Sequence, residues 1–211
     1  MKKWAEILEE DLRWREAELV SLKRIAIVNN ENDIVLRAAL RACWAILYAH
    51  FEGFTKFCWD LLLDHVQSKN ITIGELKDDF QLLALEKQFR QLRGDLKSIT
   101  IWNFFNTILP EALHEEAIFY PECRPNTKSN LWPVVFEQEC ARIGIISHEM
   151  KTYKTRIKAL VTRRNEIAHG KKMTIKSIDE YSEYENVTLF VLHDLAIQTL
   201  EILEKESYKK N

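Results

Sequence analysis

Glycine and proline are scarce, at five and four residues in 211. Few positions can therefore break or redirect a helix. All four prolines (Pro110, Pro121, Pro125, Pro133) fall between residues 98 and 133, so irregular structure is expected to concentrate there. No run of about 18 uninterrupted apolar residues occurs, and no membrane span is expected. The formal net charge is only −2, which excludes a uniformly basic nucleic-acid coat. Four cysteines (Cys43, Cys58, Cys123, Cys140) form no C-x-x-C pair. They are expected to be reduced thiols in a cytoplasmic protein, not disulfides or zinc ligands. The first residues, Met1 to Glu6, turn acidic and amphipathic at once, unlike a secretory signal. His50, His65, His114, His148 and His193 are scattered without ligand spacing, so neither a metal nor another cofactor is expected.

What the chain has is helical periodicity. One domain over residues 1–211 is expected, an all-α up-and-down bundle with long antiparallel helices. Leu8, Leu12, Arg15, Leu19, Leu22 and Ala26 make a seam along a helix over 3–28. A polar turn, Asn29 to Asp33, offers Asn32 or Asp33 as a cap for a second long helix over 34–67. Gly74 interrupts, and one helix is predicted over 75–93, stopped by Gly94. Residues 98–133 read as an irregular insert in which Pro121 to Asn130 is an exposed loop. Helices are predicted over 134–143 and 148–169. Ser177 and Glu180 have the spacing of a capping box that opens a last helix to about 206. Residues 207–211 read as a fraying tail.

One segment breaks its own pattern. Ile157, Leu160, Val161, Arg164 and Ala168 share a helical face, so Arg164 stands where leucine is expected. A guanidinium stays charged at neutral pH, and at a core-facing position it needs an anion or a wet cleft. His169 follows five residues later, ahead of Gly170. Histidine titrates nearest neutrality of all unperturbed side chains, and a fixed cation beside it suits chemistry on a phosphate. Nine basic residues against one acid, Glu166, lie between Lys151 and Lys176. That run reads either as a solvated helix face or as a place where a polyanion docks. On the second helix, Arg37, Arg41, Tyr48, Glu52, Lys56 and Asp60 form a polar stripe. Its two readings are a solvent-facing strip, or a strip facing Arg164 in which Glu52 holds the guanidinium and Lys56 pairs with Glu52.

The segment Arg164-Asn165-x-x-x-His169-Gly170 resembles the signature of the HEPN superfamily. Tyr48 to Lys56 (YAHFEGFTK), Ser129-Asn130-Leu131 and Leu160 to Asn165 (LVTRRN) add to the likeness. Together they are similar to bacterial HEPN nucleases of toxin–antitoxin and phage-defence loci, over most of residues 35–205. The resemblance implies a dimer with a shared cleft and metal-independent endoribonuclease activity. Arg164 and His169 would be catalytic. Asn165, Glu52, Tyr48, Lys56 and Arg41 would support them, and Arg163, Lys171, Lys172 and Lys176 would bind RNA. The tyrosine that closely follows the histidine in nucleotidyltransferase-paired HEPN toxins is absent, since Gly170-Lys171-Lys172-Met173 stands there. Structured RNA such as tRNA, a second copy of the chain, and an antitoxin or defence-system protein are the expected partners. Two alternatives stay open: a non-catalytic HEPN module that binds RNA or a nucleotide or serves in assembly, and a helical interaction protein in which Arg164 merely pairs with Glu52.

Overall fold

A computed structural model describes residues 2–29 and 31–210. Asn30 of the predicted polar turn and Asn211 of the tail lie outside the described residues. The fold is all-α. Among the described residues the only β pairing is two isolated bridges, Thr72 with Glu116 and Leu76 with Lys209.

Two long helices, α1 (Lys2–Val28) and α2 (Asp33–Gln67), form the opening hairpin. Asn32 caps α2 as expected, its side chain accepting from the Val35 N–H. Leu8, Leu12, Leu19 and Ala26 of the α1 seam are buried. Arg15 stays in that seam by donating to Asp11 at 2.6 Å and stacking on the Trp14 ring. Two further long helices, α8 (His148–Ala168) and α9 (Ile178–Lys205), close the bundle. Helix α2 packs against α1, α8 and α9, which is why it is apolar on most sides. By length and composition α2 and α9 could each cross a membrane. In the fold they are the central helices, and Trp44, Leu47, Phe51, Trp59 and Leu62 of α2 and Val191, Leu192 and Leu195 of α9 are buried. The buried Glu185 of α9 is held by Lys23 of α1.

Between these pairs the chain departs from the expected course. Residues 75–93 are not one helix but α3 (Asp78–Ala84) and α4 (Glu86–Gly94). The break is at Leu85, whose backbone (φ −87°, ψ 3°) leaves the helical well while its side chain joins the core. The first half of the insert is helical rather than irregular: α5 (Ser98–Asn103), a π-helical turn over Phe104–Ile108, and α6 (Leu109–Leu113). The π turn sits just before Pro110, which has no N–H to donate and whose ring would crowd the carbonyl of the preceding turn. The wider turn runs from the Leu109 N–H to the Phe104 carbonyl. It buries Phe104 and leaves Trp102 and Phe105 exposed. Helix α7 (Pro133–Ala141) is followed by a turn through Gly144, where φ is +73°.

Residues 207–210 do not fray. Tyr208 is buried, the Lys77 N–H donates to its carbonyl, and the Lys210 N–H donates to the Glu75 carbonyl. The two tail lysines suggested a solvated end, but the tyrosine between Ser207 and Lys209 is an apolar peg that fits against His65 and Phe80. Tyr208→Ala is expected to destabilise the protein by about 3 kcal/mol, as loss of a buried aromatic ring does. Urea unfolding monitored by circular dichroism checks this. An unchanged midpoint would mean that the tail contributes nothing.

Candidate functional site

Helix α8 starts at Ser147, whose hydroxyl accepts from the Met150 N–H, and ends in a Schellman motif. The Lys171 N–H donates to the Glu166 carbonyl at 2.9 Å and the Gly170 N–H to the Ile167 carbonyl at 3.0 Å. This geometry needs a left-handed residue after the cap, and Gly170 has φ +71°. His169 is therefore the C-cap residue, held at the mouth of the helix with its side chain exposed. The expected stripe holds for Ile157, Leu160 and Val161, all buried. It ends early: Ala168 is exposed, and Ile167 packs on the core instead.

Arg164 lies where the stripe meets α2. Its guanidinium carbon stands 3.8 Å from the centre of the Tyr48 ring, a cation–π contact. Its Nη2 is 3.6 Å from Glu52, and its Nη1 donates to Asn165 Oδ1 at 3.0 Å. A quarter of the side chain remains exposed. Glu52 makes its shorter contacts elsewhere, accepting from Lys56 at 2.7 Å and from Thr127 at 2.6 Å. Burial works against the Glu52 carboxylate, but donors from Lys56, Thr127 and Tyr48 outweigh it and hold its pKa below the usual carboxylate range. Tyr48 is buried, and its hydroxyl also accepts from the Leu131 N–H at 2.8 Å. Burial, chiefly, pushes the Tyr48 phenol up to about 12. The pair is thus a neutral phenol beside a firmly ionised carboxylate.

Thr127 and Arg124 were not singled out by sequence, and with the Leu131 backbone they correct the reading of Pro121 to Asn130 as an exposed loop. Cys123, Pro125 and Thr127 are buried. The segment is a strap over the polar stripe, clamped by Arg124, which donates to Asp60 at 2.9 Å and to Asp64 at 2.5 Å. Strap contacts reach 60 to 83 residues back along the chain, and no periodicity could reveal them. Ser129-Asn130-Leu131, quoted for the family likeness, is the stretch whose last N–H reaches Tyr48.

Seven of the nine residues of the basic run fall into two groups. Lys154, Arg156, Arg163 and Arg164 each meet a carboxylate (Glu137, Glu183, Glu180 and Glu52). Arg163 is the most firmly held of the expected RNA-binding residues. It bonds Glu180 at 2.6 Å and lies over the rings of Trp44 and Tyr184. Lys171, Lys172 and Lys176 are exposed and have no ion pair among the described residues. Arg41 faces them from α2, its Nη1 donating to the Lys171 carbonyl at 3.0 Å and the Met173 carbonyl at 2.8 Å. The structure thus groups Arg164, Asn165, Tyr48, Glu52 and Lys56 in one cluster. It sets Arg41 against the loop after His169 and draws Arg163 toward Trp44, Tyr184 and Glu180 instead. His50 is away from this cluster, buried near Glu18 and Arg15.

The family model for MAE_28990-like HEPN matches residues 4–208 of the chain. No curated protein matches, and no solved structure does.

Proposed function

The chain belongs to the MAE_28990-like HEPN family, and from that premise we propose that it is a metal-independent endoribonuclease. In this reading it acts in the cytoplasm as a toxin or antiphage effector on structured RNA such as tRNA. The observation that carries the proposal is the posture of Arg164. The guanidinium is braced on Tyr48 and Glu52 with one edge open, five residues before an exposed His169.

Metal-free cleavage uses the RNA 2′-hydroxyl as nucleophile on the adjacent phosphorus. Its proton goes to a base, the new O–P bond forms, and the bond to the 5′-oxygen breaks. That oxygen takes a proton from an acid on the opposite side. One histidine does not reach both sides of an in-line displacement. A two-fold axis through the cleft supplies a second His169 and a second Arg164, and the two guanidiniums neutralise the charge that grows on the phosphorane. The competing reading, in which Arg164 serves only to pair with Glu52, fits poorly with the contact lengths. Glu52 is already satisfied by Lys56 and Thr127, and its 3.6 Å approach to Arg164 is the longest of the three.

Incubation of the purified protein with total RNA in EDTA tests the reaction class. Products ending in a 2′,3′-cyclic phosphate and a 5′-hydroxyl are expected. Cleavage that EDTA abolishes, or products with a 5′-phosphate, would overturn it. RNA binding without turnover would transfer the chain to the non-catalytic alternative.

A further inference from the structure

Beyond Gly170 the chain does not simply trail away from α8. It folds over the side of α2 and borders an open pocket of about 260 Å³ lined by Arg37, Arg41 and residues 170–175. Four cationic residues (Arg37, Arg41, Lys171, Lys172) belong to that lining, and among the described residues no carboxylate does. Arg37 pairs with Asp33 one turn earlier at 2.7 Å, but both side chains are more than half exposed, where such a contact is weak.

The loop backbone is fixed. Met173 and Ile175 are buried pegs, and Lys171, Lys172 and Thr174 are exposed. Arg41 ties the carbonyls of Lys171 and Met173, and the Met173 N–H closes a turn back onto the Lys171 carbonyl at 2.8 Å. A cationic concavity with a preset backbone and no internal anion is matched by an anion from outside. Its position, starting at the residue after His169, sets it along any strand whose reacting phosphate lies at that histidine.

We propose that this pocket is a phosphate subsite for the backbone of a single-stranded nucleic acid, flanking the reacting phosphate, with Lys171 and Lys172 as its contacts and Arg41 as the residue that positions their loop. The placement of the subsite relative to the cut rests on the nuclease reading above; the binding itself does not. Recognition here is of the phosphate, so a strand without 2′-hydroxyls binds as well.

The test uses a fluorescent single-stranded DNA dodecamer, which cannot be cut by 2′-hydroxyl chemistry, and measures its affinity for the full chain by anisotropy across a salt series. Lys171→Gln/Lys172→Gln is expected to weaken binding about tenfold at low salt. The slope of log affinity against log salt should fall by about 1.4, at ~0.7 for each phosphate contact on a single strand. Lys151→Gln/Lys158→Gln removes the same charge from exposed positions of α8 outside the pocket and is expected to leave the slope unchanged. Equal losses from the two double variants, or no loss from the first, would overturn the subsite. Lysine-dependent binding of inorganic pyrophosphate, with oligonucleotide binding indifferent to Lys171 and Lys172, would overturn it in favour of a free phosphate compound. If RNA goes uncut in EDTA while the dodecamer result holds, the nuclease reading fails and the pocket stands.

Discussion

His169→Ala is expected to lower RNA cleavage by about 10³-fold or more while leaving the melting temperature where it was. General acid–base catalysis by a placed side chain contributes on the order of 10²–10⁴. In a shared cleft the single substitution removes the proton acceptor of one chain and the proton donor of the other. The ring is exposed, and among the described residues it makes no side-chain hydrogen bond, so its loss costs the fold nothing comparable. Arg164→Ala is expected to cost about 10²–10³ in turnover, the usual worth of a donor aimed at developing charge. It also strips a cation from the face of Tyr48 and from beside Glu52, so a small drop in stability accompanies it. Single-turnover cleavage of a defined RNA, with thermal unfolding of the same samples, separates the two effects. Wild-type turnover by both variants would remove these residues from the chemistry.

Trp44→Ala is the substitution expected to do most harm to the fold, at about 3–5 kcal/mol and a melting temperature lower by roughly 10 °C. The ring is fully buried on α2. Its Nε1 donates to the Leu160 carbonyl of α8 at 3.0 Å, Tyr184 of α9 packs on it at 4.7 Å, and the Arg163 guanidinium lies over it at 5.0 Å. One side chain thus joins three of the four long helices, one turn before the motif arginine. Cleavage should fall with the fraction unfolded and recover on cooling. A Trp44→Phe protein should regain most of the packing but not the bond to Leu160. A melting temperature within a degree or two of wild type for Trp44→Ala would show that another contact holds α8 in place.

The long helices were legible because each carries many apolar residues at one period, and a few exceptions do not erase such a signal. Asn32 and Ser177 cap their helices, and Gly170 ends α8, because these are local effects of one or two residues. Of the two readings of the polar stripe on α2, the fold has Glu52 turned toward Arg164 at 3.6 Å, with Lys56 paired to Glu52. Short elements were less legible. The break at Leu85 and the π turn ahead of Pro110 answer to packing and to one missing N–H, not to a repeating pattern. The strap over residues 121–131 reads as a loop by composition. It is held by single contacts from Thr127 and Arg124 to carboxylates 60 to 75 residues away.

Arg163 and Arg164 show where local information ends. They are the same residue, adjacent, and about 100° apart on one helix. Sequence by itself determined that α8 is a helix, that Ile157, Leu160 and Val161 make its apolar stripe, and that Gly170 terminates it with His169 at the mouth, because periodicity and backbone conformation act over a few residues. Only the tertiary structure decided what each arginine does. Arg163 falls between Trp44, Tyr184 and Glu180, which occupy its charge. Arg164 falls on Tyr48, beside a Glu52 already held by Lys56 and Thr127, and keeps an open edge. Those neighbours come from α2, α9 and the strap, and only long-range packing sets their distances.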